Sequence, residues 1–565
     1  MSSEVVFDIE TNGLTPDKIW CVADSTGYFS TEEYSFNDKD MYYGHNSIGF
    51  DLPVLASVWG INSRRNNQRD TLVLSRLANP SRAGGHSLNA WGRLLGFPKG
   101  EHSDWDRYSP DMQRYCERDV QLTVSVLSKV KKELEGFSER SIELEHQVAW
   151  IIQEQVQNGW LLDQEAVFML LAELKEKKIE LEDTVRTTFT PRCKGGKEVT
   201  PRINKDGTLS AVGLKYYGRD WHRDIGGVHT RVDFPEFNLG SRKQIGEYLI
   251  ALGWTPAKYT DKGAPIVSEV VLKDVEGIPE CTLIADYLTV VKRIAMAQSW
   301  LDKVDADSRV RGQVNSCGAV TGRMTHYSPN MGQVTAGSKI YGSEMRDCWV
   351  VADGYKLVGM DASGLELRML AHYMNDEGYT QEVLNGDIHT ANQRAAGLSD
   401  RNTAKTFIYA FLYGAGDAKI GSIVGGGAKS GRELKRKFLA NTPALAQLRD
   451  RVGTAAKRGW LRGLDGRRIA VRSPHAALNT LLQGAGAVVM KQALVNLHKF
   501  ATSQKLDFKI VGNIHDEIQT EVAERDAERF GKLAVYAMTK AGEDFNLTIP
   551  LAGEYKIGNS WKETH

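Results

Sequence analysis

Two aspartates, each placed where an apolar strand runs out, constrain this 565-residue chain more than any other feature of its sequence. In KLVGMDASGLELRMLAHYM the strand pattern ends at Asp361, and a short turn leads into a helix carrying Glu366. Far downstream, DFKIVGNIHDEIQTEV reads as a strand, a polar break at His515, Asp516 and Glu517, and a return strand. A buried acid at a strand end is costly unless a cation shares it. If the two strand ends meet, Asp361 and Asp516 form a two-metal site. The length alone allows about two to four domains.

Between these strands lies RNTAKTFIYAFLYGAG. Arg401, Lys405, Tyr409 and Tyr413 recur every fourth residue, which on a helix sets them on one broad face. Two cations followed by two aromatic rings suit a nucleotide: the cations take a triphosphate, and the rings pack on sugar and base. The glycine-rich GGGAKSGRELK lacks the Gly-Lys-Ser/Thr ending of a Walker-type loop, so this helix is the available device. A formal net charge of zero hides a local asymmetry, because residues 401–472 hold sixteen Lys/Arg against four Asp/Glu. A stripe of that kind suits a phosphate backbone or a triphosphate.

A second group of acids stands near the N-terminus. In VVFDIET the strand period puts Val5, Phe7 and Ile9 on one face and Asp8 and Glu10 on the other. GHNSIGFDLPVL adds Asp51 behind a turn, and YCERDVQLT places Tyr115 and Asp119 one helical turn apart. Four acids from three elements, with a tyrosine, form the plan of a two-metal phosphodiesterase. His45 reads as turn chemistry and Asp70 as a helix cap.

The six cysteines (Cys21, Cys116, Cys193, Cys281, Cys317, Cys348) are scattered with no C-x-x-C pair, which argues against structural zinc and a disulfide framework. Residues 1–10 lack the plan of a signal peptide and no apolar run approaches a bilayer span, so a cytosolic product with no membrane partner is expected. Residues 1–130 alternate strand-like and helical runs, and 138–188 is amphipathic helix nearly free of glycine. At 191–236 the texture changes to a Gly- and Lys/Arg-rich stretch with nine Lys/Arg against six Asp/Glu, read as an excursion between helices.

The N-terminal motifs resemble, in order, those of the proofreading DEDD-type 3′–5′ exonucleases, in the form with a tyrosine in the third motif. That resemblance implies that Asp8, Glu10, Asp51 and Asp119 bind metals and that Tyr115 positions the attacking water. The later blocks resemble the three polymerase motifs of family A, the DNA polymerase I family. The match runs on through GAVTGRMTHYSPNMGQV, GDIHTANQRAAGL, GLDGRR, VRSPHAALNTLLQGAGA and the terminal His565. Within the family, the chain is most similar nearly end to end to the short replicative polymerases of T-seven-like podophages.

The resemblance implies an α/β and α+β multidomain fold: a ribonuclease H-like exonuclease domain, then a right-hand polymerase domain. The expected segments are exonuclease 1–135, thumb 136–310 with the basic excursion at 191–236, palm 311–370 and 485–565, and fingers 371–484. Asp361, Ala362 and Asp516 would hold two Mg²⁺ (Mn²⁺ as the alternative), with Glu517 beside them near the primer end. Each active site would take two such ions. Arg401, Lys405 and His389 would contact the triphosphate, and Lys405 would protonate the leaving pyrophosphate. Glu366 would sit under the incoming sugar and help exclude a 2′-hydroxyl. Tyr409 would go with tolerance of dideoxynucleotides, and Tyr413 would pack near the templating base. Arg323, Gln483 and His515 would touch the minor groove and primer, where acceptors are common to all correct pairs.

The implied activity is template-directed DNA synthesis from dNTPs on primer-template DNA, with 3′–5′ proofreading. The alternatives are a repair or gap-filling polymerase of this family, and a nuclease whose C-terminal two-thirds is a non-catalytic DNA clamp. The first strand begins three residues into the sequence, so no 5′-nuclease domain is expected ahead of it. That favours a replicative phage role in the cytoplasm of an infected bacterium, with helicase-primase and single-strand-binding protein as companions. The podophage relatives carry a thumb insertion that recruits host thioredoxin. The shorter excursion here is open to DNA, to thioredoxin, or to another partner.

Overall fold

The structure, a computed structural model, describes residues 3–200, 202–211 and 229–565. The chain divides into two units, Met1–Gln164 with Asp302–His565, and Glu165–Leu301.

In the first unit, Glu4–Thr11 is the central strand of a five-stranded sheet. The spatial order is Phe29–Ser30, Ile19–Asp24, Glu4–Thr11, Met41–Gly44, Gln68–Asp70. The first three strands pair antiparallel and the last two join in parallel, the ribonuclease H-like arrangement expected. Alternation works as the sequence implies. Val5, Phe7 and Ile9 enter one core with Tyr42, Leu52 and Leu55, while Val6 enters the other with Trp91, Cys116 and Leu122. Asp8 and Glu10 continue Val6's face, on the side of the helix Pro110–Glu133. Asp70 caps the helix Thr71–Ala78 as expected, accepting from the amides of Leu72 at 2.8 Å, Asn46 at 2.9 Å and Ile48 at 3.1 Å. His45 serves the same turn, with Nδ1 2.8 Å from Thr71 Oγ1.

The second sheet of this unit is antiparallel, in the order Phe508–Ile514, Glu517–Ala523, Tyr355–Ala362, Gly553–Gly558. Val358, Met360, Ile518 and Val522 join one large core with Leu494 and Leu497 of the helix Ala477–Ser503 and Phe530 of the helix Ala527–Asp544. The opposite face is polar yet buried, because Glu517, Gln519 and Glu521 alternate along a strand hidden over its whole length. Each finds partners. Glu521 receives Arg309 at 2.8 Å and the Ala352 amide at 3.0 Å. Gln519 accepts from Thr564 Oγ1 at 2.9 Å, and Glu517 accepts from Trp561 Nε1 at 2.6 Å. The C-terminal residues thus cover this face closely. A Cβ on Gly359 would come within 2.4 Å of Gln519 Nε2 and 2.5 Å of the Thr564 carbonyl. That explains a glycine in the middle of a buried strand.

One boundary differs from the sequence expectation. The helix Glu139–Asn158, placed there with 136–310, belongs to the first unit and packs on the helix Ala477–Ser503 and the strand Phe508–Ile514. The physical reason is a buried ionic cluster. Glu145 Oε1 accepts from Lys491 Nζ at 2.5 Å and from Arg467 Nη1 at 2.6 Å, and Arg467 also binds Asp465 at 2.6 Å. The four side chains are 0–3% exposed. The GLDGRR block therefore has a structural duty, tying its hairpin to two helices.

The second unit contains the helices Gln164–Thr188, Arg242–Ala251, Glu269–Lys273 and Pro279–Leu301. Phe189 stacks on Phe237 at 4.5 Å, Tyr248 leans on Phe237 at 4.8 Å, and the Tyr287 hydroxyl reaches Glu182 at 3.3 Å. Of the basic excursion 191–236, residues 201 and 212–228 lie outside the described residues. Its described part includes an antiparallel pair, Lys194–Val199 with His229–Asp233.

Replacing Glu145 by alanine leaves two buried cations short of a partner, and the expected cost is about 3–5 kcal/mol. Thermal and denaturant melts of Glu145→Ala should show that loss, with Glu145→Gln less affected. Unchanged melts would contradict the role given to the cluster.

Candidate active sites

Strand register brings Asp361 and Asp516 together. Asp361 pairs with Glu517 across the ladder, and the Ala362 amide donates to the Asp516 carbonyl at 3.0 Å. A two-residue turn, with His515 at φ 60°, presents Asp516 at the strand end. The expectation of buried aspartates needs correction: Asp361 and Asp516 are exposed, and the buried acid is Glu517. Crowding still acts on the exposed pair. Partial desolvation, then the charges of Asp516, Glu517 and Glu554, push the Asp361 carboxyl up to about 6 against the opposing pull of His565. Burial pushes Glu517 the other way from its neighbours, yet His565 Nδ1 at 2.8 Å, Gln519 and Arg346 hold it below the usual carboxylate range. Glu517 is thus turned inward and occupied, while Asp361 and Asp516 offer free oxygens to solvent. An all-oxygen donor set of that kind fits a hard divalent cation.

The helix Arg401–Leu412 starts at Asp400, whose carboxylate accepts from the Thr403 amide at 2.6 Å. Ala404, Phe407, Ile408 and Phe411 are buried, leaving Arg401, Lys405 and Tyr409 on the outer side. Tyr413, one residue past the helix, continues that face, with its ring 6.3 Å from Tyr409. Its hydroxyl donates to both Glu366 oxygens, at 2.8 and 3.0 Å, and Arg323 approaches the same carboxylate at 3.5 Å. His389 stacks obliquely 6.2 Å from Tyr409. Tyr409 is raised by burial and then by the charges of Glu366 and Asp516. Arg323 and His515 line one small cleft with Ala487, and Gln483 stands one helical turn before Ala487.

Arg401 is held by Asp387 at 2.6 and 3.1 Å. Asp387 also caps the helix Ile388–Ala396, so the helix-start signal in GDIHT was its only trace in the sequence.

The N-terminal acids also converge. Asp8 and Glu10 lie on the central strand, Asp51 opens the helix Asp51–Val58, and Tyr115 and Asp119 share the helix Pro110–Glu133. Glu10, Asp51 and Asp119 are at most 6% exposed. Burial first, and mutual repulsion second, lift Asp8 well above the carboxylate range and Glu10 to about 9. Asp51 rises to about 7, chiefly through burial, and Asp119 also rises although Lys99 opposes it. Lys99, which sequence reasoning missed, places Nζ 2.8 Å from Asp119 Oδ2 and 5.0 Å from the Tyr115 ring centre. A lysine in GFPKGE carries no periodic signal that would have marked it.

A divalent ion fits these residues. Asp119 Oδ1 is buried and unpartnered, and ligand atoms of Asp8, Glu10 and Cys116 lie within 4.8 Å of one another, the one such trio among the described residues. Cys116 is not part of the donor set. Its hydrogen bond with Cys21 and its burial keep the thiol protonated, and it donates to the Asp8 carbonyl at 3.5 Å. The remaining donors are carboxylate oxygens, the ligands of Mg²⁺ or Mn²⁺.

Known proteins share this architecture. The family model described as DNA polymerase family A matches residues 222–563. The DNA-directed DNA polymerase of Escherichia phage T7 is 35% identical, over 99% of this chain and 100% of its own length. That of Enterobacteria phage T3 is 35% identical over 92% of each chain. Among solved structures, the POL domain of Pol1 from M. smegmatis, in complex with DNA primer-template and dNTP, superposes with a TM-score of 0.79. It is 18% identical and covers 99% of this chain and 95% of that one, a likeness of fold. No described helix is long and apolar enough to cross a membrane. With a family model matching more than half of its length and phage relatives alike nearly end to end, this chain belongs to DNA polymerase family A.

Proposed function

We propose that this chain is a replicative DNA-directed DNA polymerase whose N-terminal carboxylates form a 3′–5′ proofreading exonuclease. The observation that carries the reading is the ladder that sets Asp361 beside Asp516 at the open end of one sheet. The segments 311–370 and 485–565 serve as palm, 371–484 as fingers, and the second unit as thumb.

Asp361, Ala362 and Asp516 would hold two divalent cations, which when bound supply a more acidic primer 3′-hydroxyl and neutralise charge on pyrophosphate. Arg401, exchanging Asp387 for phosphate, and His389 bind the triphosphate. Lys405, exposed on the same face, donates a proton to the leaving pyrophosphate. Glu366 is pinned by Tyr413 and Arg323, so its carboxylate stands rigidly under the sugar and disfavours a 2′-hydroxyl. Arg323, Gln483 and His515 test the minor groove for acceptors shared by all correct pairs. In the exonuclease, Asp8, Glu10, Asp51 and Asp119 would hold the metals, and Tyr115, steadied by Lys99, positions the attacking water. Kinship with the phage enzymes supports a setting in an infected bacterium, alongside a helicase-primase and a single-strand-binding protein. The basic strands of the thumb would meet DNA or a processivity factor such as host thioredoxin.

In primer extension with Mg²⁺, Asp361→Ala should lower synthesis at least about a thousandfold while sparing degradation of single strands. Asp8→Ala should do the reverse, and extension that survives Asp361→Ala would mean that the site is misassigned. Glu366→Ala should raise ribonucleotide insertion relative to deoxynucleotide by about tenfold or more, and an unchanged ratio would remove Glu366 from sugar selection.

The pH dependence follows from the raised carboxyls. Glu10 at about 9 and Asp51 at about 7 exceed unfolded values of about 4, so the folded protein binds more protons than the unfolded chain. In EDTA, stability should therefore fall as pH rises from about 5 to 9, and Mg²⁺ should remove much of the slope. Glu10→Gln should flatten the EDTA profile. A wild-type profile that matches that of Glu10→Gln would contradict the crowding.

A further inference from the structure

Arg76 has no duty in either site. It lies half-buried on the helix Thr71–Ala78, and among the described residues it makes no ion pair. The nearest candidate, Asp70, is already spent on three backbone amides. Burial lowers the Arg76 pKa, as it does for a cation short of a counter-ion. A guanidinium in that position is costly unless an anion meets it.

Arg76 faces a cavity of about 480 Å³ whose walls also include Asn46, Gln153, Gln313, Asn315 and Tyr327. Two buried polar atoms at this cavity, His45 Nε2 and Asn315 Oδ1, are without partners. Tyr327 is 47% exposed, a large ring left open beside a polar cavity. The walls come from the segments that build both active sites. Asn46 belongs to the turn that leads to Asp51. Asn315 and Tyr327 end the two paired strands that flank the loop carrying Arg323, the partner of Glu366.

We propose that this cavity is a single-stranded DNA subsite between the two active sites, gripping one nucleotide of a frayed primer end. Arg76 takes the phosphodiester by charge-assisted hydrogen bonds, and Tyr327 stacks on the base. Thr71 donates to the Gly44 carbonyl and receives His45 Nδ1–H, so His45 Nε2 and Asn315 Oδ1 both supply acceptors for N–H groups of the base or a sugar hydroxyl. The inference rests on the proofreading reading, since it gives the displaced strand a station on its way to Asp8 and Asp119.

The test is fluorescence-anisotropy binding of the full chain carrying Asp8→Ala, with Ca²⁺, to primer-templates that are either fully paired or mismatched at the primer end. Arg76→Gln should weaken binding of the mismatched DNA about tenfold and leave the paired DNA unchanged. Its salt dependence should lose about 0.7 in slope, one single-stranded phosphate contact. Tyr327→Ala should weaken the same DNA selectively, and Arg76→Lys should keep most of the affinity. The melting temperature of Arg76→Gln should hold or rise, because a half-buried unpaired charge is gone. Unchanged mismatched binding and salt slope would overturn the proposal. So would equal losses on both DNAs with a lowered melting temperature, which would make Arg76 structural. Because the readout is binding, it fails separately from the proofreading reading, which falls if Asp8→Ala still excises mismatches.

Discussion

Two unit charges about 4 Å apart repel by about 4 kcal/mol at an effective dielectric near 20, and more where water is excluded. This chain gathers carboxylates in that way twice. At the N-terminal site three of the four acids are nearly buried, and the repulsion appears as carboxyls lifted as far as about 9. At the second site Asp361 and Asp516 are exposed, and the lift is smaller, to about 6 for Asp361. Such clusters survive in a folded protein because strand register and helix starts impose them and because cations relieve them. The rest of the architecture can be understood as the scaffold that holds these acids in place.

That scaffold relies on polar groups whose partners come from distant parts of the chain. The buried strand Glu517–Ala523 carries Glu517, Gln519 and Glu521 on one face, satisfied by Trp561, Thr564, His565 and Arg309. The C-terminal residues are therefore part of the scaffold of the second carboxylate site, holding Glu517 in the buried face of the sheet. The cluster of Glu145, Lys491, Arg467 and Asp465 does similar work, joining the helix Glu139–Asn158 to the helix Ala477–Ser503. Removing one member of either network strands the others in low dielectric.

Much of this was legible in the sequence where a local rule applied. Period-two alternation gave the faces of VVFDIET, the helical period gave the Arg401 face, and cap chemistry gave Asp70. Motif order carried the family. What local rules could not reach was pairing across distance. Nothing in the pattern around Glu145 distinguishes it from a surface acid, because its partners lie 322 and 346 residues away. Lys99 and Asp387 were missed for the same reason, each being defined by the residue it faces. The expectation of buried Asp361 and Asp516 failed because the acids sit just beyond the apolar part of their strands, at the open end of the sheet.

The central claim is that one chain carries two carboxylate sites, each built to hold divalent cations. Anomalous X-ray diffraction from crystals grown with Mn²⁺, primer-template DNA and a nonhydrolysable dNTP tests it most directly. Strong peaks are predicted beside Asp361 and Asp516 and, separately, among Asp8, Glu10 and Asp119. A map with no manganese at either cluster would contradict the account.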